Sequence, residues 1–252
     1  MRSVRLIPVL LIHSNGVYKS INFNNYRYIG DPINTIRIFN DLEVDEICIL
    51  DIDASKNSKS PNYELLEDLT SEAFMPFSYG GGIQTTDQAK NIFNLGIEKI
   101  IVNYAIQRNL NLIEECSNKF GSQSIIASID YKKNFFNKKF CYDHVSKKKL
   151  NINIKDFVVL VEKAGAGEIL LNSVDRDGLM NGMDTDLIQE LSLITNVPII
   201  ACGGAGNLEH VKKASVAGAN AIAGGSMFVY HGNQKGILIN YPSKDQLQNY
   251  LE

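Results

Sequence analysis

The residues in this chain best suited to chemistry are carboxylates and glycines that follow short apolar runs. Asp51, Asp53, Asp130, Asp175 and Asp177 end or follow "EICIL", "QSIIASI" and "EILLNS". A carboxylate at the end of a buried strand is the residue type that moves protons in a polar mouth. Gly80, Gly81 and Gly82 follow "MPFSY", and Gly203, Gly204 and Gly206 follow "VPIIAC". Backbone N–H groups in such turns approach an anion closely, and a following helix start favours negative charge. A further turn, "GGSM", adds Gly225 and Ser226. The combination suits proton transfer on a substrate with an anionic group at each end. His13, His144, His210 and His231 are scattered, as are Cys48, Cys116, Cys141 and Cys202. No CxxC pair or ligand spacing links them, so no metal site, disulfide framework or cofactor is expected, and a reducing cytoplasm is the simplest setting.

The elements that must position these residues are eight apolar runs: "VRLIPVLLI", "EICILDI", "MPFSYG", "EKIIVN", "QSIIASID", "EILLNS", "VPIIAC" and "NAIAGG". Between most of them, apolar residues recur at three- and four-residue spacing, as in Ile33, Ile36 and Phe39 or Leu187, Leu191 and Ile194. Continuous apolar strands alternating with amphipathic helices predict a parallel sheet covered on both faces. Eight such units in 252 residues predict an α/β fold, a (β/α)8 TIM barrel forming one domain over residues 1–252, with the carboxylates and glycine turns at the C-terminal face. A doubly wound sheet usually carries a glycine-rich turn after its first strand, and this chain has none there. The stretch after the first run, "HSNGVYKS", reads as a loop. The net charge of −3 gives no general attraction for nucleic acid. No apolar run reaches the roughly 18 residues of a membrane span, and no signal-peptide pattern opens the chain.

The chain also repeats. Glu46 and Glu168, Pro76 and Pro198, Gly81 and Gly203, and Gly96 and Gly218 are each 122 residues apart. A constant interval through loops predicts two half-barrels in one closed barrel, and so a second anion grip, from the Gly81–Gly82 loop and Asn103, opposite the first. Aligning "RLIPVLL" with "SIIASID" sets Leu11 against Asp130. The repeat therefore predicts a carboxylate pair across the mouth, with leucine in one place. The segment 131–150, "YKKNFFNKKFCYDHVSKKKL", holds seven lysines among aromatics. It reads either as a solvated hairpin or as a cationic lid that attracts a phosphorylated substrate.

These motifs match a family. "RLIPVLL", "GDP", "DEICILDIDAS", "PFSYGGGI", "GSQSIIASID", "GAGEILLNSVDRDG", "PIIACGGAG" and "GGSMF" resemble the cyclase subunit of imidazole glycerol phosphate synthase. The resemblance implies a twofold-repeated barrel with two phosphate sites. It implies a class I glutaminase docked at the N-terminal face, whose ammonia passes up the barrel to a phosphorylated substrate. By position it implies phosphate contacts at Gly82, Asn103, Gly204, Gly225 and Ser226, substrate contacts at Lys19 and Asp51, and Asp177 and Gly178 in the sixth loop. It implies a charged ammonia gate of Arg5, Glu46, Lys99 and Glu168. The family's acid/base pair falls at positions 11 and 130, so Asp130 is the catalytic carboxylate and Leu11 is a departure. Leucine neither donates nor accepts a proton. Asn172 and Cys202 stand where hydroxyl residues are usual. An intact gate below an incomplete mouth, with the "VLLIHSNG" opening and "ILINYPS" tail, resembles a branch associated with amidation of surface-polysaccharide sugars, which works with a separate amidotransferase. A histidine-pathway cyclase that tolerates Leu11, and a barrel that only docks and activates the glutaminase, are the alternatives.

Overall fold

The computed structural model describes residues 4–232 and 234–251. Strand β1 (Arg5–His13) leads into a hairpin of β2 (Gly16–Ile21) and β3 (Asn24–Gly30), then helix α1 (Pro32–Asp41). There follow β4 (Ile47–Asp51), α2 (Tyr63–Glu72), β5 (Phe77–Gly80), α3 (Thr86–Asn94), β6 (Lys99–Val102) and α4 (Asn111–Phe120). The second half has the same plan. It comprises β7 (Ile125–Lys133), a hairpin with β8 (Lys139–Asp143) and β9 (Lys148–Lys149), α5 (Ile154–Lys163), β10 (Glu168–Ser173), α6 (Thr185–Ser192), β11 (Ile199–Cys202), α7 (Leu208–Val216) and β12 (Ala221–Gly224). A short α8 (Ser226–Val229), strands β13 (Tyr230–His231) and β14 (Gly236–Ile237), and α9 (Lys244–Leu251) complete the described chain.

The helices start where local chemistry allows. Asp31 caps α1 by accepting from the Asn34 N–H, and Pro32 opens the helix, where its missing N–H costs nothing. Thr85 and Gln88 form a capping box on α3, and Asn207 caps α7. The apolar side of each helix then lies on the sheet, as Ile36 and Phe39 of α1 do.

Eight parallel strands close on themselves in the order β1, β4, β5, β6, β7, β10, β11, β12, with β12 pairing back to β1. This is the (β/α)8 barrel expected from the sequence. The register carries the repeat into space. Leu11 pairs with Leu50, and Asp130 pairs with Asn172. Leu6 pairs with Ile222, and Ile125 with Ile100. Leu50 and Asn172 are 122 residues apart, as are Ile100 and Ile222, so Leu11 and Asp130 occupy the same place in the two halves.

The stretch after β1 corrects the expected loop: it is the hairpin of β2 and β3. Ser14 and Asn15 have φ of 47° and 62°, and Asn22 and Phe23 have 52° and 60°. Consecutive left-handed residues, Ser14–Asn15 between the paired His13 and Gly16 and Asn22–Phe23 between Ile21 and Asn24, make the two-residue turn whose twist suits a hairpin.

One core lies between sheet and helices. A smaller one fills the barrel with Ile7, Val9, Cys48, Ile101, Ile126, Leu170, Ile200, Ala221 and Ala223, capped toward the mouth by Leu11, Leu50 and Cys202. Among the described residues no helix is long and apolar enough to cross a membrane.

Candidate active site

The C-terminal ends of the strands surround a cavity of about 370 Å³. Asp130, Lys19, Asp51, Gly82, Asn103, Asp177, Gly178, Gly204, Gly225 and Ser226 all line it, together with Leu11 and Leu50. The glycine turns are dictated by crowding. Gly82 has φ of 69° and a Cβ there would strike the Lys59 carbonyl; Gly204 has φ of 99° and a Cβ would strike the Gly182 carbonyl. Only glycine fits either place.

Each polar side chain has a definite setting. Asp130 closes the buried part of β7 and is 4% exposed. Its Oδ1 accepts from Asn172 Nδ2 at 3.2 Å, and its Oδ2 lies 3.1 Å from His144 Nδ1. Asp51 accepts from the N–H groups of Asp53 and Ala54 at 2.9 and 3.0 Å; burial nevertheless pushes its carboxyl up. Asp177 accepts from Ser20 Oγ at 2.6 Å and from the Phe23 N–H at 3.3 Å, and burial raises it too. These bonds tie the first hairpin to the loop after β10. Lys19 is buried on β2 and donates to the Val9 carbonyl. Burial lowers its ammonium to about 8, against the pull of Asp177. Asn103 donates to Ser128 Oγ at 3.3 Å and accepts from Gln107 at 2.8 Å.

Two of the carboxylates marked in the sequence turn away from the cavity. Asp53 takes His13 Nδ1 at 2.7 Å and the Ser14 N–H at 3.0 Å. Asp175 takes the Lys133 N–H at 2.6 Å and lies 3.6 Å from Lys132 Nζ. The lysine-rich segment is a hairpin, and it also walls the mouth: Lys132, Tyr142, His144 and Lys147 line the cavity, while Lys133 and Lys139 bind Asp184 at 3.1 and 2.9 Å. His144 is the mouth residue that sequence reasoning missed. The hairpin that returns it to Asp130 was legible; the contact was not.

At the opposite end of the barrel, Arg5, Glu46, Lys99 and Glu168 form a closed ring. Arg5 reaches Glu46 at 2.6 Å and Glu168 at 2.8 Å; Lys99 reaches the same two at 3.2 and 3.3 Å. Burial pushes the Glu46 carboxyl up while Lys99 and Arg5 pull it down. The apolar barrel interior lies between ring and mouth.

A family model described as "Histidine biosynthesis protein" matches residues 5–235. The chain belongs to this family. A Pseudomonas aeruginosa relative named "Putative imidazole glycerol phosphate synthase subunit hisF2" is 43% identical over 244 residues, covering 96% of this chain and 97% of the relative. A Leptospira borgpetersenii relative named "Putative imidazole glycerol phosphate synthase subunit HisF" is 46% identical over 241 residues, covering 95% of each chain. The imidazole glycerol phosphate synthase subunit HisF of a Thermotoga species is 38% identical over 252 residues, covering 100% of this chain and 99% of the relative. The chain is thus a homologue of the cyclase subunits in a lyase/synthase family.

Proposed function

We propose that this chain is the ammonia-receiving barrel of a glutamine-dependent synthase and that its ammonia goes to an acceptor other than the family's own. A class I glutaminase docks at the N-terminal face. Ammonia passes the ring of Arg5, Glu46, Lys99 and Glu168 and crosses the apolar interior to a phosphorylated substrate. Gly82 and Asn103 hold one end of that substrate, and Gly204, Gly225 and Ser226 the other. Lys19, Asp51, Asp177 and Gly178 complete the contacts. The acceptor in this reading is a sugar of a surface polysaccharide, whose N-acetyl group becomes an acetamidino group with help from a separate amidotransferase.

One observation carries the reading: leucine occupies the twofold equivalent of Asp130 above a ring whose four ion pairs are all made. Cleaving a substrate and closing a ring needs protons moved at two places. A single carboxylate does not face both.

Glutamate release by the glutaminase, with and without this chain, tests the partner. Stimulation and a stable complex are expected; the absence of both would refute ammonia delivery. The histidine-pathway cyclase is the second reading. It is favoured by the fact that every other residue placed at the substrate lines one cavity.

A further inference from the structure

Among the ionisable side chains that line the mouth and have no role in the reading above, His144 is the one in contact with Asp130. We propose that His144 is a catalytic proton-transfer residue, working with Asp130 as a dyad on one wall of the mouth. The proposal rests on the reading that chemistry takes place in this cavity, and it names a group that does it.

His144 sits in the turn between β8 and β9, lines the cavity and is 19% exposed. Its Nδ1 lies 3.1 Å from Asp130 Oδ2, and the Phe23 ring meets its face edge-on, 6.5 Å between centroids. Among the described residues nothing bonds its Nε2. A carboxylate that receives Nδ1–H leaves Nε2 as the basic nitrogen of the neutral ring and stabilises the imidazolium once a proton arrives. Asp130 is itself held from the other side by Asn172 Nδ2.

A second observation points to a ligand at the same place. Asn172 is buried, and its Oδ1 has no hydrogen-bond partner. A buried amide oxygen without a donor costs free energy, and a ligand N–H would supply the donor. Asn172 lies two residues beyond Leu170, at the mouth end of the apolar interior. An amine arriving there meets an acceptor in Asn172 and a base in His144. In the other half the positions equivalent to Asn172 and Asp130 are Leu50 and Leu11, which offer neither an acceptor nor a carboxylate to hold a base.

The step balances without redox chemistry. The lone pair of ammonia forms the C–N bond to a carbonyl carbon of the substrate, and the C=O π pair moves to oxygen. The new C–N nitrogen carries one proton too many. Nε2 takes that proton, and the imidazolium beside Asp130 gives it to the oxygen. The other charged groups around His144 are Asp143 next to it, Lys132 and Lys147 of the same hairpin, and Asp177 and Lys19 across the cavity. Asp143 is occupied by Arg108, Ser146 and the Val145 N–H, which leaves Asp130 as the partner.

Two measurements test this on the full chain. Nitrogen-15 NMR of the neutral His144 ring should show the Nδ1–H tautomer in the wild type and the Nε2–H tautomer in Asp130→Leu. An Nε2–H tautomer in the wild type would overturn the proposal. Single-turnover kinetics with ammonia and the family's bis-phosphorylated substrate, in the wild type and in Leu11→Asp, give the second readout. His144→Gln should bind phosphate and substrate as before and react about 100-fold more slowly. An unchanged rate would overturn it. If neither background turns over, the tautomer decides. Glutaminase stimulation by the wild-type chain is read separately, so failure of ammonia delivery and failure of the dyad are distinguishable.

Discussion

The two halves of the barrel share a backbone plan and differ in the chemistry of one corner. After β1 and after β7 the chain makes a hairpin before its first helix. Each half has a glycine turn whose φ only glycine tolerates, and each contributes one glutamate to the ring at the bottom. At the mouth the first half places Leu11 beside Leu50, and the second places Asp130 beside Asn172. Twofold geometry thus fixes where side chains stand, and residue identity alone decides whether a position is ionisable or apolar. The two ring cations, Arg5 and Lys99, both come from the first half, so the ring is also asymmetric in who contributes charge.

The sharpest way to break this comparison is Leu11→Asp, which restores symmetry at the mouth. Supplied with ammonia and the family's bis-phosphorylated substrate, the wild type should form imidazole glycerol phosphate very slowly or not at all, and the variant about 10²–10⁴-fold faster. Product formation followed by chromatography checks it. Wild-type turnover at an ordinary family rate would instead promote the histidine-pathway reading.

The next largest effect is at the bottom of the barrel. Glu46 is 3% exposed and accepts from both ring cations. Glu46→Ala leaves Arg5 and Lys99 sharing one carboxylate, and should cost about 3 kcal/mol of stability, as breaking a buried ion pair does. Glu168 is 12% exposed, so Glu168→Ala should cost less. Urea denaturation of the two variants measures the difference between the halves directly.

A smaller effect is expected from Lys19, whose ammonium is lowered to about 8 by burial. It is charged below that pH and neutral above it. A Cβ on Gly225 would strike its Nζ, so this charge lies beside the second-half turn rather than the Gly82 turn. Phosphate bound at Gly225 and Ser226 should therefore weaken about tenfold as pH rises through about 8, the worth of one charged hydrogen bond. Lys19→Met should abolish that dependence. Phosphate titrations followed by amide NMR test both statements.

The smallest effect concerns the second hairpin. Burial pushes the Asp184 carboxyl up, but bonds from Lys139 and Lys133 outweigh it and hold the group below the usual carboxylate range. A depressed carboxyl stabilises above its ordinary pKa and loses that contribution as pH falls through the folded value. Acid should thus loosen the hairpin, and Asp184→Asn should flatten this dependence at a cost of about 1 kcal/mol. Hydrogen exchange across residues 131–149 reads the loosening. The first hairpin, tied to Asp177 through Ser20, should respond differently, because the Asp177 carboxyl is raised.

Much of this molecule is set by local pattern. The eight apolar runs became the eight barrel strands because each buries both faces, and the 122-residue interval became a twofold axis because strand register follows chain spacing. The glycine turns and strand-end charges fell where they were expected, since a residue's height in the barrel depends on its own strand. What sequence left open was direction. Asp51, Asp53 and Asp177 all follow strand ends, yet Asp53 turns to His13 while Asp51 and Asp177 face the cavity. That choice depends on which loop packs above each carboxylate, and those loops come from elsewhere in the chain. His144 was one of four scattered histidines until β8 and the turn after it returned it to Asp130. Such a contact is made by two elements folding onto each other, and no spacing along the chain encodes it.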